Sequence, residues 1–377
     1  MKGIIVDTTH DSYGVIKGDG KVIFVDGGLP GDTVEYKITK EKKNYCYAEL
    51  VEIIDYSKLR ILNENPLGSS YPLYPMDYWE ALEGKINSFK YELKKVFDIH
   101  PEIKVIPSRK RKINKIRLHV DGKNWGLYKR KTNEIEKIDI SLIMENIDNA
   151  YIDEVVNNLE NASYLIVRTD SLNRKYLATD GIIKKDLADG IKDINGARGE
   201  TPAYILNEKV FHVDIDGFFQ TNTEIAQKVL QDLPEINTKF LDLYGGVGFL
   251  SIGVNSEEEF TIVEINESAT KRAKENLILN QKNAQIICKD TKEYIVKQKE
   301  IEETIILDPP RTGLDKEVVE KILELAPQKI IYMSCNHTTL IRDLKEFSKK
   351  YTLQTINVYD MFVYTTHLEC VVSLETI

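Results

Sequence analysis

Residues 330–340 read IIYMSCNHTTL: an apolar run stops at Ser-Cys-Asn and a Thr-rich stretch begins. The run reads as a buried strand, and HTTLIRDLKEF after it reads as a helix. Cys335 therefore stands where the strand ends, among polar neighbours and just before a helix start. A helix N-terminus lowers the pKa of a nearby thiol, so this position is expected to favour a reactive thiolate. A core-packing cysteine would sit inside the apolar run, as a small buried residue. Further on, THLECVVSL reads as a final strand containing Glu369. Period 2 puts His367 and Glu369 on one face, Leu368 and Cys370 on the other. On these residues alone Glu369 is either an edge-strand charge or a functional acid.

A ligand-binding pattern precedes these residues. FLDLYGGVGFLSI (240–252) reads as strand, Gly-rich turn and helix start, in which Gly245, Gly246 and Gly248 permit a tight turn and close backbone approach. Eighteen residues beyond Gly246, Glu264 ends the next strand, where an acid can bond a ribose hydroxyl. The dinucleotide pattern needs a third glycine at position 251, and Ser251 stands there. That favours a nucleoside without a pyrophosphate, such as S-adenosylmethionine, over a nicotinamide dinucleotide. Asp308 ends a fourth strand in IILDPPRTGL, followed by two prolines that stiffen the loop. An aromatic after Asp-Pro-Pro would suggest transfer to an exocyclic amine; Arg311 occupies that place. In DGFFQTN, Gln220 and Asn222 lie beside two aromatics, with Thr221 or Asn222 expected to cap the helix that follows.

These residues need elements to hold them. From about residue 218, continuous apolar strands (KFLDLY, EFTIVEI, AQIIC, ETIILD, QKIIYM) alternate with amphipathic helices. That pattern indicates an α/β domain with a parallel sheet covered on both faces, binding ligands at its strand ends. Residues 1 to about 56 alternate β-branched runs with Gly-rich turns and read as a small β-barrel, a shape that often binds oligonucleotides. Residues 57–76 read as a loop. A helix over about 77–98 follows, with Trp79, Leu82, Ile86, Phe89, Leu93 and Phe97 on one broad face. Residues 103–213 mix strands with a helix near 150–160, an α+β pattern.

Composition bounds the rest. The 377 residues carry a net charge of −9, and the pI is near 5.4. The mean hides a segment: Lys104–Lys131 holds eleven Lys or Arg against one acid, Asp121. Such a local basic face can bind phosphates whatever the global charge. No apolar run approaches the ~18 residues of a membrane span, and the N-terminus does not read as a signal peptide, so a cytoplasmic location is expected. The four cysteines, Cys46, Cys288, Cys335 and Cys370, fit neither a zinc nor a disulfide pattern. Cys46, Cys288 and Cys370 are expected to be packing residues.

Taken together, GFFQTN, LDLYGGVGFLSI, VEINESATKRAKEN, LDPPRTGL, IIYMSCNHTTLIRDL and YDMFVYTTHLECVVSL resemble the RNA uracil-5-methyltransferase family, in one order over nearly the whole chain. The resemblance implies a Rossmann-like seven-stranded methyltransferase domain (216–377), preceded by an OB-like TRAM β-barrel (1–56) and an α+β central domain (57–215). The two N-terminal units would bind RNA, and the helix at 77–98 would pack on the catalytic domain. It implies Cys335 as the nucleophile toward uracil C6 and Glu369 as the base at C5. Gln220, Tyr244, Gly246, Glu264 and Asp308 would hold S-adenosylmethionine. Arg109, Lys110, Arg111 and Arg311 are candidates for contacts to a transfer or ribosomal RNA, and the chain is expected to act as a monomer. Many members carry an iron–sulfur cluster. Here GSSY stands where its Cys-Gly-Gly-Cys would be and Ser141 where a later ligand would be, so no cluster and no other metal is expected. Cytosine C5 or exocyclic-amine methylation, and RNA binding with little catalysis, are the competing readings.

Overall fold

The computed structural model describes residues 1–9, 11–18, 20–97, 102–184, 191–197 and 199–377. Near the N-terminus, strands with alternating burial curl into one six-stranded sheet. Its order is Lys2–Ile4, Thr33–Glu41, Tyr45–Asp55, Val22–Asp26, Tyr13–Lys17, Asp7–Thr8. The inward positions, among them Ile16, Ile23, Val25, Val34 and Cys46, make its core. Alternation with period 2 permits this, one face closing on itself and the other left to water.

A second six-stranded sheet, running Ile135–Glu136, Asn124–Tyr128, Lys115–Asp121, Tyr164–Thr169, Lys175–Thr179, Ile191–Ile194, forms the middle of the chain. Its core gathers Leu118, Trp125, Leu165, Val167 and Leu177 with Ile152, Val155 and Val156 of the Asn149–Asn157 helix. Leu67 is buried in that core, and the GSSY stretch beside it is held by hydrogen bonds. The Ser69 backbone nitrogen and hydroxyl both donate to Glu136 Oε2, at 2.7 and 3.0 Å. The Asn65 side chain spans Gly68 O, Tyr71 O and the Leu67 nitrogen. At the later position, the carbonyl of Ser141 accepts from Lys112 Nζ at 2.8 Å.

The C-terminal sheet has the order Ala284–Cys288, Phe260–Glu264, Phe240–Leu243, Thr304–Leu307, Lys329–Ser334, Glu369–Thr376, Tyr351–Tyr359, Ile103–Ile106. The first five strands are parallel, and Glu369–Thr376 runs antiparallel between its two neighbours. Apolar residues face both ways: Leu241, Leu243, Ile305 and Tyr332 join one core, Phe240, Ile262, Ile306 and Met333 the other. The expected seven strands are present, and an eighth is added. Ile103–Ile106, expected within the central domain, pairs in parallel with Tyr351–Tyr359. That strand would otherwise end the sheet with an unpaired row of backbone groups.

The Tyr78–Val96 helix packs on this sheet through Leu82, Ile86, Phe89 and Leu93. Asp77 caps it by accepting from the Trp79 and Glu80 nitrogens; the expected end at Asp98 lies outside the described residues. Trp79 departs from expectation: it is 60% exposed, and Tyr78 takes the buried place. The stripe 78, 82, 86, 89, 93 leaves residue 79 rotated by about 100° from it. Among the described residues, no helix is long and apolar enough to cross a membrane.

Candidate active site

The Lys329–Ser334 and Glu369–Thr376 strands are antiparallel, with Ser334 opposite Cys370. Cys335 follows Ser334 and Glu369 precedes Cys370, so both adjoin the last pair of that ladder. The Ser-Cys-Asn turn is held locally: the Asn336 nitrogen donates to Ser334 Oγ at 3.3 Å, and Asn336 Oδ1 caps the His337–Phe347 helix by accepting from the Thr338 nitrogen. The Asn336 side-chain amide also donates to Arg311 O at 3.0 Å. Arg342 donates to Thr312 O and Leu314 O, so the Asp-Pro-Pro-Arg loop is fastened to the same helix.

Three more acids converge at the neighbouring strand ends. Glu264 accepts from the Gly246 nitrogen at 2.9 Å and from the Asn266 nitrogen at 2.7 Å, joining the Gly turn to the next helix start. Asp308 follows the Thr304–Leu307 strand, and its nitrogen donates to Leu243 O. Asp242 is buried in the strand between them, and neither of its carboxyl oxygens meets a donor at hydrogen-bond distance among the described residues. Burial pushes the Asp242 pKa up to about 7, the nearby Ser251 offsetting this only in part and Glu264 adding to it. Asp308 is pushed up by burial and by the charges of Asp242 and Glu264. Glu369, 2% exposed and with an unpaired Oε1, is pushed well up by burial and by Asp308.

Cys335 differs from expectation. Its pKa is raised to about 11, by burial first and then by Glu369 and Asp308, with Arg311 pulling the other way. The helix N-terminus is present, but loss of water and two facing acids outweigh it. Among the other cysteines, Cys46 and Cys370 are buried as expected, whereas Cys288 is exposed. It lies on the edge strand of the sheet, where no further strand covers it.

The Gly turn leaves room for a ligand. Gly246 has φ +55°, and an added Cβ there would meet nothing within 4 Å; at Gly245 it would strike Ile262 and Asp242. Tyr244, a non-glycine residue, is held at φ +63°, a conformation that costs energy and recurs at binding sites. A group of buried, mutually repelling carboxyls beside this open turn suits a cationic ligand with hydroxyl donors, and the sulfonium, ammonium and ribose of S-adenosylmethionine match that description.

Gln220 is buried, and its carbonyl accepts from the Asn114 side chain at 2.8 Å. Asn222, not Thr221, caps the Thr223–Asp232 helix and also donates to Ser108 Oγ at 2.9 Å. These bonds bring the start of the basic run beside the GFFQTN segment. The Arg109 and Lys110 nitrogens donate to Glu224, and both side chains are exposed. Arg111 is only half-exposed: its guanidinium lies 4.0 Å over the Tyr78 ring and its Nε is buried without a partner. The basic run is thus not one continuous face. Lys112, Lys115 and Lys123 each bind backbone carbonyls, and Lys104 pairs with Asp232. The sequence reading passed over two residues. Asp242 is one, signalled by an acid inside an otherwise apolar strand. Phe218 is the other, 73% exposed two residues before Gln220.

The sheet order, the Gly turn and the acids at the strand ends define an S-adenosylmethionine-dependent methyltransferase. Residues 204–377 match the tRNA (Uracil-5-)-methyltransferase family, and residues 6–51 match the TRAM domain. The chain is 30% identical to an uncharacterized RNA methyltransferase of Mycoplasma mobile, over 95% of both chains. It is 26% identical to one of Staphylococcus aureus, over 98% of this chain and 96% of the other. Its fold is similar to that of the Pyrococcus abyssi tRNA (uracil-54, C5)-methyltransferase in complex with S-adenosyl-L-homocysteine, with a TM-score of 0.78 and 23% identity over 99% of this chain and 100% of that one. The chain belongs to the RNA uracil-5-methyltransferase family, and its methyl donor is S-adenosylmethionine.

Proposed function

We propose that the protein methylates C5 of a uridine in a structured transfer or ribosomal RNA through a covalent bond between Cys335 and C6 of the base. The observation that carries this reading is that Cys335 and the buried Glu369 adjoin the same strand pair, Ser334–Cys370, with the Glu369 carboxyl acting on the thiol. Uracil C5 is a poor nucleophile. The Cys335 thiolate adds to C6, the C5–C6 π electrons move onto O4 as an enolate, and C5 then accepts the methyl group. Glu369, ionised at that stage, removes the C5 proton; the released electron pair restores the double bond and expels the thiolate. Arg311 opposes the upward pKa shifts of both groups and so favours their ionised forms.

Bound S-adenosylmethionine supplies an electrophilic methyl group on a sulfonium, whose charge also favours ionised acids nearby. Gln220, Tyr244, Gly246, Glu264 and Asp308 hold it, with Asp242 adding negative charge beneath. The target base leaves its stack to reach the site. Arg109 and Lys110 offer exposed cations for RNA phosphates beside it, and Phe218 offers an uncovered ring face against which a planar base can stack.

The test is transfer of labelled methyl groups from S-adenosylmethionine to unmodified transfer RNA and ribosomal RNA fragments, followed by nucleoside analysis. The family's description names transfer RNA, so that substrate comes first. Label in 5-methyluridine, absent with Cys335→Ala, is expected. Label in 5-methylcytidine or on an exocyclic amine would overturn the reading.

A further inference from the structure

Glu369 enters its strand from an irregular connection. The chain leaves the sheet at Tyr359 and returns at Glu369, its partner in the antiparallel pair, so residues 360–368 form a closed loop. Loops normally run over the surface, because buried peptide groups need partners. Here Asp360, Met361, Val363, Thr366 and Leu368 are buried. Tyr364 is held in the left-handed region, at φ +64°, which a non-glycine residue keeps only where its surroundings impose it. The Leu73 nitrogen donates to Tyr364 O at 3.0 Å, and the Tyr74 and Tyr364 rings meet edge to face at 4.7 Å.

Lys85 ties this loop together. An ammonium group has three protons to donate, and three acceptors meet it: Asp360 Oδ1, Phe362 O at 3.4 Å and His367 O at 3.2 Å. They span the connection from its first residue to the second before Glu369. The support behind Lys85 is firm, since Leu82, Ile86 and Phe89 pack the Tyr78–Val96 helix on the sheet. Stability alone does not account for a buried Lys85–Asp360 pair. Taking two charges out of water is costly, and apolar residues of similar volume often hold a fold as well. What apolar residues cannot do is grip two backbone carbonyls and a carboxylate at once.

We infer that Lys85 is a positioning residue for Glu369: its three-point tie fixes the 360–368 connection, and with it the carboxyl that takes the C5 proton. The inference rests on the covalent reading and deepens it by separating two halves of the reaction. Addition of the Cys335 thiolate to C6 and methyl transfer to C5 do not use Glu369 as a base. The second half does. The proton passes from C5 to the carboxylate, the C5–H electrons form the C5–C6 double bond, and the C6–S bond breaks to return the thiolate. A carboxyl released from its place slows this half alone, and the methylated covalent complex then accumulates on ordinary uridine.

The test follows single turnovers with S-adenosylmethionine, by denaturing gel, on an unmodified RNA that wild type methylates. Lys85→Met with Asp360→Val removes both charges, so neither is left buried alone, and S-adenosylhomocysteine binding shows that the variant is folded. Release of the covalent complex is expected to slow by about ten- to a hundredfold, leaving a persistent slow band that wild type lacks. On 5-fluorouridine RNA, where the reaction halts at the point of proton removal, variant and wild type should form the complex at equal rates. Lys85→Arg keeps the ion pair, but its planar fork cannot meet the same three acceptors. It should show the same selective slowing, and it decides the matter if the double variant binds no S-adenosylhomocysteine. Release at the wild-type rate, or equal slowing of complex formation and release, would overturn the positioning role. Failure of the covalent reading looks different: wild type itself forms no complex on 5-fluorouridine RNA.

Discussion

Cys335 and Glu369 flank Ser334–Cys370, the last pair between two antiparallel strands, and the Glu369 carboxyl acts on the Cys335 thiol. Thirty-four residues separate them in the chain, and the sheet brings them together. Their surroundings then set their protonation. In the ligand-free protein, both the thiol and the carboxyl hold their protons more tightly than they would in water.

Alkylation of the ligand-free protein reads this directly. With its pKa raised to about 11, the Cys335 thiol should react with iodoacetamide at a rate that climbs about tenfold per pH unit from 7 to 9, without a plateau. Exposed Cys288 reacts too, so a Cys288→Ser background is used, with the site read by mass spectrometry. Arg311→Ala should slow Cys335 further at each pH. A plateau below pH 8 would show that the helix N-terminus outweighs burial.

The buried acids also make stability depend on pH. Asp242 goes from its ordinary 3.8 to about 7 on folding. Between those values the folded chain binds more protons than the unfolded chain, so this group's contribution falls as pH rises through the window. Asp242→Asn should therefore match wild type near pH 4 and exceed it near pH 8, by on the order of 2–4 kcal/mol. Thermal or urea unfolding at the two pH values measures the difference.

Lys85 is buried and pairs with buried Asp360; it also donates to His367 O at 3.2 Å, on the segment leading to Glu369. Lys85→Ala leaves Asp360 uncompensated and should cost about 3–5 kcal/mol. Replacing both residues by apolar ones of similar volume should recover much of that loss, as denaturant titration would reveal.

Glu136 accepts both bonds from Ser69 in the GSSY stretch. Glu136→Ala should destabilise the middle of the chain by about 1–3 kcal/mol, because it removes the acceptor for a backbone nitrogen and a hydroxyl. Hydrogen exchange at the Ser69 amide should rise, while exchange in the Phe240–Leu243 strand stays as in wild type.

Much of this was legible in the chain. Apolar runs such as IIYM and IILD mark strands buried on both faces, and the Gly turn with Glu264 eighteen residues on marks a nucleoside site. What escaped depends on distant partners. Ile103–Ile106 reads as any short strand; only the open edge of Tyr351–Tyr359 decides where it pairs. Trp79 looks apolar enough to be buried, but one residue's rotation turns it outward and Tyr78 inward. The direction of the Cys335 shift could not be read, because burial in the folded chain causes it first and the acids that add to it, Glu369 and Asp308, are distant in sequence. Arg111 counts as a cation in sequence, yet the Tyr78 ring engages it.

The central claim is the bond between Cys335 and uracil C6. It is tested most directly with RNA containing 5-fluorouridine, incubated with the protein and S-adenosylmethionine and run on a denaturing gel. Fluorine cannot leave C5 as a proton does, so a methylated covalent complex should accumulate as a slow band and be absent with Cys335→Ala. No slow band on an RNA that wild type demonstrably methylates, or an equal band with Cys335→Ala, would contradict the account.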